Sequence, residues 1–588
     1  MDIRHRLAAF PGLRAARDLV VRLGLWLSAR LWALRSARAR RRLRAAVPGL
    51  RRISCGPARL YGRTVGGYTA LDAAATDLER VGALLDAAGV PYFLVPAEPR
   101  RGGARQVVGV AEGHRDAVLA QAARELAGTA AFVAGVGPDG GAVRAVLWAD
   151  GRLPRALRRA AVLRTGEVRL GPRGQVLGGL ETGCDIEFWR PGRELRADPA
   201  HLSVPGRQLT EVFESALVAP RRNPVSEVLP VSAQQPAVAA GPRRPVPTFA
   251  PFAEPGVDEV DFPVDAVYTW VDGEDPAMAA KRRAHQEGSD NAIAPRETGA
   301  SRYTSHDELK YALRSLEMYA GFVRHVYLVT DAQVPDWLDP EAEGLTVVDH
   351  RDILPADALP VFNSHAIESR LHHIPGLSDR YLYFNDDVFV NRPVGAEHFF
   401  HGNGIARIPL SPLKLGVGDP HPMEPAPNSA GKNTREVVRR FHGRQITHKS
   451  LHTPHPQLLS VMREMEGLEI EELRRTAYSR FRSLTDVAPA STLHHHWAIA
   501  TGRAVPAEYR FRYVQLGTPD MRRRLARLEA GEDVDFFCLN DVDTAPAARA
   551  AAQAAIHAFL ERRYPFASRF EKAARTVPGS SRATLPVS

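Results

Sequence analysis

The apolar and polar positions of this 588-residue chain form two regions of alternating helix and strand patterns. In the first region, apolar residues at helical spacing in YTALDAAATDLERVGALLDAAGV alternate with short apolar runs such as PYFLVP and RQVVGVAE. After Phe262 the alternation returns, with apolar runs in VDAVYTWVDG, VRHVYLVTD, LTVVDH and RYLYFNDDVFV. Both regions are therefore predicted to be α/β, and in the region after Phe262 the alternation predicts a mainly parallel sheet.

The same pattern divides the chain into segments. We predict a basic amphipathic arm (1–54), a smaller N-terminal α/β domain of unknown role (55–218), a Pro-rich extended linker (219–256), a catalytic domain (257–571) and a disordered tail (572–588). In the N-terminal domain Asp185 and Glu187 alternate as strand residues do, which predicts a solvent-facing pair.

The positive charge of the chain is concentrated in the arm. Residues 1–52 contain 14 Arg and 2 Asp, a local net charge of +12, whereas the whole chain carries +10, so the remainder sums to −2. A folded part without net positive charge argues against nucleic-acid binding. Within the arm, Leu19, Leu23 and Leu27 recur at helical spacing and predict an amphipathic helix on an anionic membrane surface. A helix packed on the protein and a disordered basic tail are the alternatives.

The arm is not predicted to cross a membrane, because Arg22 and Arg30 interrupt its apolar run. It also lacks the small-residue cleavage site of a signal peptide. Cys55, Cys184 and Cys538 lie far apart and predict neither a zinc site nor a disulfide framework. We therefore expect a cytoplasmic protein. If it contacts a membrane, we expect peripheral attachment at the inner face of the plasma membrane.

Three polar residues, Asn385, Asp386 and Asp387, interrupt the apolar run YLYFNDDVFV. Adjacent carboxylates repel each other and are costly to desolvate unless a cation or hydrogen-bond donors meet them. Asn and Asp also favour turns, so the pattern is consistent with a hairpin turn as well as with a metal site. Because ligands bind at the carboxyl ends of parallel strands, Asp272 and Asp331, which also end strands, are candidates for the same site.

Cationic and imidazole side chains follow in HKSLHTPHPQ and RFRS, which supply His452, His455 and Arg482. Carboxylates that hold a hard cation opposite Arg and His are typical of a diphosphate site. Zinc is the competing prediction, but the His spacing is not a standard one, and Pro454 and Pro456 prevent a helix from presenting it.

Four blocks of the sequence, in order, resemble the Stealth family of bacterial capsular and exopolysaccharide hexose-1-phosphoryl transferases, which are related to the animal GlcNAc-1-phosphotransferase. The blocks are DAVYTWVDG at 265–273, the stretch at 302–338 that continues at 359–390, 449–483 and CLNDVD at 538–543. The resemblance implies a nucleotide-sugar-transferase-like α/β fold. It also implies transfer of a sugar-1-phosphate from a nucleotide-diphosphate sugar to a hydroxyl of an acceptor glycan, with release of a nucleoside monophosphate.

The resemblance also implies roles for single residues and a Mg²⁺ cofactor, with Mn²⁺ as the alternative. Asp387, His452 and Arg482 are the predicted catalytic residues; Asp272, Arg302, Glu368, His372, Asn385 and Asn540 the predicted substrate-binding residues; Asp386, Asp387 and Asp541 the predicted metal ligands. Glu368 and His372 are equally consistent with a pair that stabilises a helix. The sequence does not decide which acid binds metal and which acts as the base.

Two other functions remain open at this stage. A metal-dependent glycosyltransferase would use the same donor but break the bond between sugar and oxygen, and its products would differ. A membrane-surface scaffold with an inactive transferase fold is the other alternative, although Asp387, His452 and Arg482 are all present.

Overall fold

The structure is a computed structural model that describes residues 34–97, 105–197, 214–286, 307–541 and 544–573. Contacts divide the chain into two compact units, Met1–Gly256 and Val257–Ser588. Both units are mixed α/β, in agreement with the predicted class. Among the described residues, no helix is long and apolar enough to cross a membrane. Most of the predicted arm, and the predicted tail beyond residue 573, lie outside the described residues.

The first unit contains short strands and six helices within its described residues. Its strands are β1 (Leu50–Cys55), β2 (Ala58–Thr64), β3 (Tyr92–Val95), β4 (Gln106–Ala111), β5 (Phe132–Val136), β6 (Ala142–Leu147), β7 (Val162–Gly166), β8 (Val168–Leu170), β9 (Val176–Gly178), β10 (Cys184–Pro191), β11 (Leu217–Val218), β12 (Val228–Leu229), β13 (Pro236–Ala239) and β14 (Val246–Phe249). Its helices are α1 (34–46), α2 (Ala70–Ala87), α3 (Arg115–Glu125), α4 (Arg155–Arg158), α5 (Gly192–Ala197) and α6 (Ala250–Ala253).

The largest sheet of the first unit has eight strands. Its order is β12-β11-β10-β7-β5-β6, with β4 on β10 and β3 on β4. Only the β4–β10 pair is parallel there, so this sheet is mainly antiparallel. The side chain of Thr69 caps α2, and Leu78, Val81 and Leu85 place its apolar face in the core against the sheet.

The stretch from 219 to 256 is not the extended linker that the sequence predicts. It contains β12, the β13–β14 hairpin and α6. Val246 packs in the main core of the first unit, and Phe252 packs against Phe93 and Trp189. The prolines limit the segment to short elements, but its aromatic and β-branched residues bury enough apolar surface to fold it onto the unit.

The predicted solvent-facing pair in β10 is also wrong. Asp185 and Glu187 are both buried, 1% and 2% exposed. Arg164 donates two hydrogen bonds to Asp185, and Arg221 donates to both carboxylates. The alternating acids of β10 therefore lie on a buried face of the strand, where arginines from other segments neutralise them.

Part of the predicted arm belongs to the folded first unit. In α1, Ser36 and Leu43 are buried, and Arg40 bonds the carboxylate of Asp150. Strand β1 begins at Leu50 and pairs along its length with β2. The folded unit thus starts at or before residue 34, earlier than the predicted boundary.

The second unit carries the elements that form the candidate site. Its strands are β15 (Val264–Thr269), β16 (Val323–Thr330), β17 (Leu345–Asp349), β18 (Arg380–Asn385), β19 (Val388–Val390), β20 (Ala406–Lys414), β21 (His448–Ser450), β22 (His455–Leu458), β23 (Ala504–Ala507), β24 (Phe511–Gln515) and β25 (Phe536–Asn540). Its helices are α7 (Pro276–Gln286), α8 (Glu308–Tyr319), α9 (His350–Ile353), α10 (Ser364–Glu368), α11 (Ala426–His442), α12 (Leu459–Gly467), α13 (Glu471–Ala477), α14 (His494–Ala500), α15 (Met521–Glu529) and α16 (Pro546–Arg563).

The central sheet of the second unit is mainly parallel. Its order is β17-β16-β15-β18-β22, and only β22 runs antiparallel to its neighbour. The four residues Tyr381–Phe384 of β18 are all buried, as expected for a strand covered on both faces. This arrangement brings the carboxyl ends of β15, β16 and β18 to one edge.

The turn Asp386–Asp387 joins two sheets and is not a hairpin. Strand β18 belongs to the central sheet, whereas β19 pairs antiparallel with β25, which in turn pairs parallel with β24. The amide of Leu539 donates to the carbonyl of Asp387 at 3.0 Å, so the end of β25 lies against the turn. The hairpin alternative is therefore wrong, and the two acids lie where two sheets meet.

Candidate active site

A cavity of about 230 Å³ lies at the carboxyl edge of the central sheet. It is bordered by the ends of β15, β16, β18 and β25 and by α8 and α10. Seven of the predicted site residues line it: Asn385, Asp386, Asp387, His452, Arg482, Asn540 and Asp541. They come from segments up to 156 residues apart, so the fold assembles them at one place.

Asp387 is held by donors from three directions. Nδ2 of Asn540 and Sγ of Cys538 donate to its Oδ2, at 2.9 and 3.2 Å, and Nε2 of His452 lies 3.2 Å from its Oδ1. Burial alone would raise the pKa of Asp387, but the charge of His452 and these hydrogen bonds outweigh it and hold the pKa below its usual value. Asp387 is therefore a carboxylate fixed in position, and a poor proton acceptor.

His452 follows β21 and is the partner of Asp387. Its burial would lower the pKa, but the negative charge of Asp387 and the hydrogen bond to it raise the pKa above the ordinary value, with a further contribution from Glu368. The His452 side chain is 36% exposed and lines the cavity, so a substrate can reach it. A histidine oriented by a carboxylate and open to a cavity is suited to proton transfer near neutral pH.

Asp386 differs from its neighbour. Burial, the charge of Asp387 and the charge of Glu308 together raise the pKa of Asp386 well above its usual value. Excess negative charge of this kind is what a bound cation relieves. Asp386, Asp541 and Glu308 offer oxygen atoms to the cavity, and hard oxygen donors suit Mg²⁺.

A softer donor set lies next to these oxygens. Ligand atoms of Asp387, His452 and Cys538 lie within 4.8 Å of one another. Burial and the charge of Asp387 raise the pKa of the Cys538 thiol well above its usual value, so the sulfur keeps its proton and donates it to the carboxylate. The oxygen donors therefore fit a cation better than this group does.

Two further predicted residues are fixed by neighbours at the cavity wall. Nη2 of Arg482 donates to Oγ of Ser364 at 3.1 Å, which ties it to the start of α10. The Tyr513 hydroxyl donates to Oδ1 of Asn540 at 3.0 Å and thereby orients the amide so that its nitrogen faces Asp387.

Four predicted residues do not line the cavity in the described structure. Arg302 lies outside the described residues. Asp272 accepts from the backbone of Glu274 in the turn after β15, one residue beyond the lining residue Val271. Glu368 lies buried behind the wall, where Tyr383 and the amide of Ala490 donate to it, and burial raises its pKa to about 7.

The fourth residue is His372. The helix in which it could pair with Glu368 ends at Glu368, and a short 3₁₀ turn, Leu371–His373, follows. His372 therefore does not pair with Glu368 one helical turn away. Its Nε2 lies 2.8 Å from Oε2 of Glu466 on α12, at a different cavity.

Two residues that line the cavity, Glu308 and Ser364, and one that contacts Asp387, Cys538, were not predicted from the sequence. Glu308 begins α8, and Ser364 begins α10, both inside blocks that resemble the family. Cys538 precedes Asn540 by two in β25, and this spacing places both on one strand face. That spacing was a usable signal, whereas the position of Glu308 depends on how α8 packs at the sheet edge.

Comparison with known families agrees with these observations. Models of all four conserved regions of Stealth proteins match the chain: region 1 at 262–287, region 2 at 302–408, region 3 at 451–499 and region 4 at 526–578. The matched regions all fall in the second unit and contain every lining residue named above.

Similar proteins cover most of the chain. The exopolysaccharide phosphotransferase SCO6023 of Streptomyces coelicolor is 41% identical over 85% of this chain and 82% of its own length. SCO2594 of the same organism, with the same description, is 40% identical over 92% of this chain and 91% of its own. The exopolysaccharide phosphotransferase CpsY of Mycobacterium tuberculosis is 39% identical over 56% of this chain and 62% of its own. The chain belongs to the Stealth family.

Proposed function

We propose that this chain is an exopolysaccharide phosphotransferase. It transfers a sugar-1-phosphate from a nucleotide-diphosphate sugar to a hydroxyl of an acceptor glycan. The hydroxyl oxygen forms a bond to the phosphorus next to the sugar, and the bond from that phosphorus to the bridging oxygen breaks. A nucleoside monophosphate leaves, and the bond between sugar and oxygen stays intact. The mainly parallel sheet with its site at the carboxyl edge supports a nucleotide-sugar-transferase-like fold.

The contact between Asp387 and His452 is the observation that carries this proposal. Since three donors lower the pKa of Asp387, its role is to orient the imidazole and stabilise its positive charge. His452 accepts the proton of the attacking hydroxyl, because its raised pKa makes it a stronger base than an ordinary histidine. In this assignment Asp387 orients and His452 is the base, a choice that the sequence left open.

Other residues handle the negative charge of the donor. Arg482, fixed by Ser364, is placed to bind oxygens of the transferring phosphoryl group through its planar guanidinium. Asp386 and Asp541, with Glu308 beside them, are the residues that would hold Mg²⁺, or Mn²⁺. Bound Mg²⁺ supplies charge neutralisation on the diphosphate.

Product analysis tests the proposal. The full chain is incubated with Mg²⁺, acceptor oligosaccharides and a panel of nucleotide sugars, and the nucleotide products are separated. Release of a nucleoside monophosphate, together with a phosphodiester in the glycan product, is the expected result. Release of a nucleoside diphosphate would establish the glycosyltransferase alternative, and no release with any donor would favour the scaffold.

We also propose that the basic N-terminal segment holds the protein at an anionic membrane surface. In the described part of this segment, five arginines of α1 are exposed: Arg35, Arg38, Arg41, Arg42 and Arg44. Each contributes attraction of about 1 kcal/mol near such a surface. Leu43 and Ser36 pack inward, so the charged face stays on the outside.

Vesicle sedimentation tests this attachment. The cut is placed after residue 33, because removal of residues 1–52 would delete α1 and half of β1. A second variant replaces the five exposed arginines with glutamine and keeps Arg40 on Asp150. Both variants are expected to bind anionic vesicles more weakly and to keep donor turnover in solution. Unchanged binding in both would contradict the attachment.

A further inference from the structure

A second group of metal-ligating side chains lies where the 3₁₀ turn after α10 meets the end of α12. Nε2 of His372 lies 2.8 Å from Oε2 of Glu466, and Nε2 of His373 lies 2.9 Å from its Oε1. The ligand atoms of the three side chains all lie within 4.8 Å of one another. Among the described residues, the cavity beside them shares no lining residue with the catalytic cavity.

We propose that His372, His373 and Glu466 bind a zinc ion and leave one coordination position open. Two imidazoles and one carboxylate form the donor set of three-ligand zinc sites, in which water or a substrate takes the fourth position. Nitrogen donors also select against Mg²⁺ and Ca²⁺, which prefer oxygen. The site is independent of the proposed transferase function.

The distances are close to those that zinc requires. Ligand bonds of about 2.0–2.2 Å in a tetrahedron place neighbouring ligand atoms about 3.3–3.5 Å apart. Nε2 of His372 lies 2.8 Å from Oε2, the oxygen proposed to bind the ion, so this contact needs to open by about half an ångström. Nε2 of His373 now lies 2.9 Å from Oε1, and its ring needs to turn towards the ion. His373 and Glu466 are 41% and 34% exposed, and their side chains have room for this change. A cavity of about 490 Å³, lined by His372 and Glu466, gives access to the fourth position.

The surroundings of His372 hold its ring in place, since the residue is only 4% exposed. Its Nδ1 has no hydrogen-bond partner within the described part of the chain. Since ligating histidines usually donate that proton to an outer partner, we expect weaker binding than at a closed structural zinc site.

Arg370 provides the competing explanation. Its Nη1 also bonds Oε1 of Glu466, so the carboxylate could serve only as an acceptor shared by one arginine and two histidines. Nη1 of Arg370 and Nε2 of His373 share Oε1 and lie 3.5 Å from each other, which leaves Oε2, beside His372, for an ion. In the proposal Arg370 stays on Oε1 as an outer partner that orients the carboxylate.

Zinc binding would join two segments near the catalytic wall. Ser364 on α10 bonds Arg482, and the 3₁₀ turn that carries both histidines follows α10 after two residues. An ion between this turn and α12 would stabilise the folded state by mass action, since the unfolded chain lacks the preformed site. We therefore expect zinc to raise the melting temperature.

The test is a titration of the full chain with Zn²⁺ by calorimetry, and with Co²⁺ by visible absorption. Both use an Asp387→Asn background, which removes the group of Asp387, His452 and Cys538, and excess Mg²⁺, which competes for the oxygen donors Asp386, Asp541 and Glu308. One equivalent of metal is expected to bind. Glu466→Gln and His373→Ala are each expected to weaken binding by more than about 100-fold, since even outer-partner substitutions cost 10–100-fold. His401→Ala, an exposed histidine elsewhere, is the matched control and should change nothing.

Melting curves without metal establish that each variant is folded. His373 and Glu466 are partly exposed, so both substitutions are expected to be tolerated. No binding in the Asp387→Asn background overturns the proposal. Binding that survives both Glu466→Gln and His373→Ala overturns it as well, and assigns Glu466 to the hydrogen-bonded cluster with Arg370.

Discussion

The two units both bury several charged side chains, but they balance them differently. In the first unit, Asp185 and Glu187 face Arg164 and Arg221, and each carboxylate accepts from a guanidinium at 2.6–2.9 Å. In the second unit, five carboxylates among the described residues line one cavity with a single guanidinium: Glu308, Asp331, Asp386, Asp387, Asp541 and Arg482.

The difference lies in the charges that face each buried carboxylate. In the first unit, arginines lower the pKa of Asp185 against the opposing effect of burial, and although burial raises the pKa of Glu187, Arg221 and the indole N–H of Trp189 both donate to its carboxylate. At the cavity, burial and the negative charges of Asp387 and Glu308 all raise the pKa of Asp386, so a bound cation would relieve this repulsion.

The largest expected effect follows from Asp387→Asn. Turnover should fall by roughly 10²–10⁴-fold, because the orientation and charge of His452 depend on this carboxylate. Stability should fall by about 1–2 kcal/mol, since Asn lacks the charge and has one acceptor oxygen where Asp387 uses two. Steady-state kinetics and thermal melting measure both. Near-normal turnover would mean that Asp386 and Asp387 form a turn with a purely structural role.

The matched substitution in the first unit is Asp185→Asn. We expect a loss of about 3–5 kcal/mol in the free energy of unfolding of that unit, because Arg164 is then buried without its partner charge. Turnover per folded molecule should stay within about twofold of that of the parent chain, which corresponds to a change of under about 1 kcal/mol in the activation free energy. Denaturant titration, with activity corrected for the folded fraction, decides this. A specific loss of turnover would mean that the first unit contributes to catalysis.

Arg482→Lys should lower turnover by about 10–100-fold. Lysine keeps the charge but loses the planar fork that binds two phosphate oxygens and the contact to Ser364. Arg480→Lys is the control, since Arg480 donates to the backbone carbonyls of Pro360 and Leu359 and does not line the described cavity. Equal losses in the two variants would point to a general effect on packing.

The pH dependence of kcat/KM should reveal the base. Because Asp387 raises the pKa of His452 above 6.5, the base form is lost as the pH falls, and the acidic limb should lie above pH 6.5. In Asp387→Asn the residual activity should show that limb at lower pH, since the raising charge is gone. A limb at the same pH in both proteins would exclude His452 as the titrating group.

The smallest effect is expected for Asp386→Asn without metal. Burial and the charges of Asp387 and Glu308 disfavour the Asp386 carboxylate, so its removal should leave the melting temperature unchanged or raise it by about 2–4 °C. Dependence of turnover on Mg²⁺ should weaken in the same variant. A clear drop in melting temperature would show that Asp386 is stabilised by partners, as Asp387 is.

The sequence predicted the class of the second unit and seven of the residues that line its candidate site, because those features depend on local patterns. Buried runs such as Tyr381–Phe384 identify central strands, and polar residues at their ends identify the sheet edge. The sequence alone predicts that Asp387→Asn leaves stability unchanged or higher, because adjacent carboxylates repel each other. With the structure we expect a loss of stability instead, since the hydrogen-bond partners of Asp387 come from residues 452, 538 and 540.

The errors share one physical cause, which is tertiary packing. Asp185 and Glu187 alternate like solvent-facing residues, but Arg221, which lies in the segment predicted to be a linker, covers them. The spacing of Glu368 and His372 fits one helical turn, but α10 ends first, so Glu368 is buried behind the cavity and His372 turns to a different helix. No local pattern encodes these long-range contacts.

A double-substitution cycle on turnover tests the central claim that Asp387 and His452 act as one unit. Asp387→Asn, His452→Gln and the double variant are compared with the parent chain by release of nucleoside monophosphate at saturating Mg²⁺. Residues that act together are strongly non-additive. We expect the double variant to lose about as much turnover as the more damaging single variant. Losses that multiply, so that the two substitutions act independently, would contradict it.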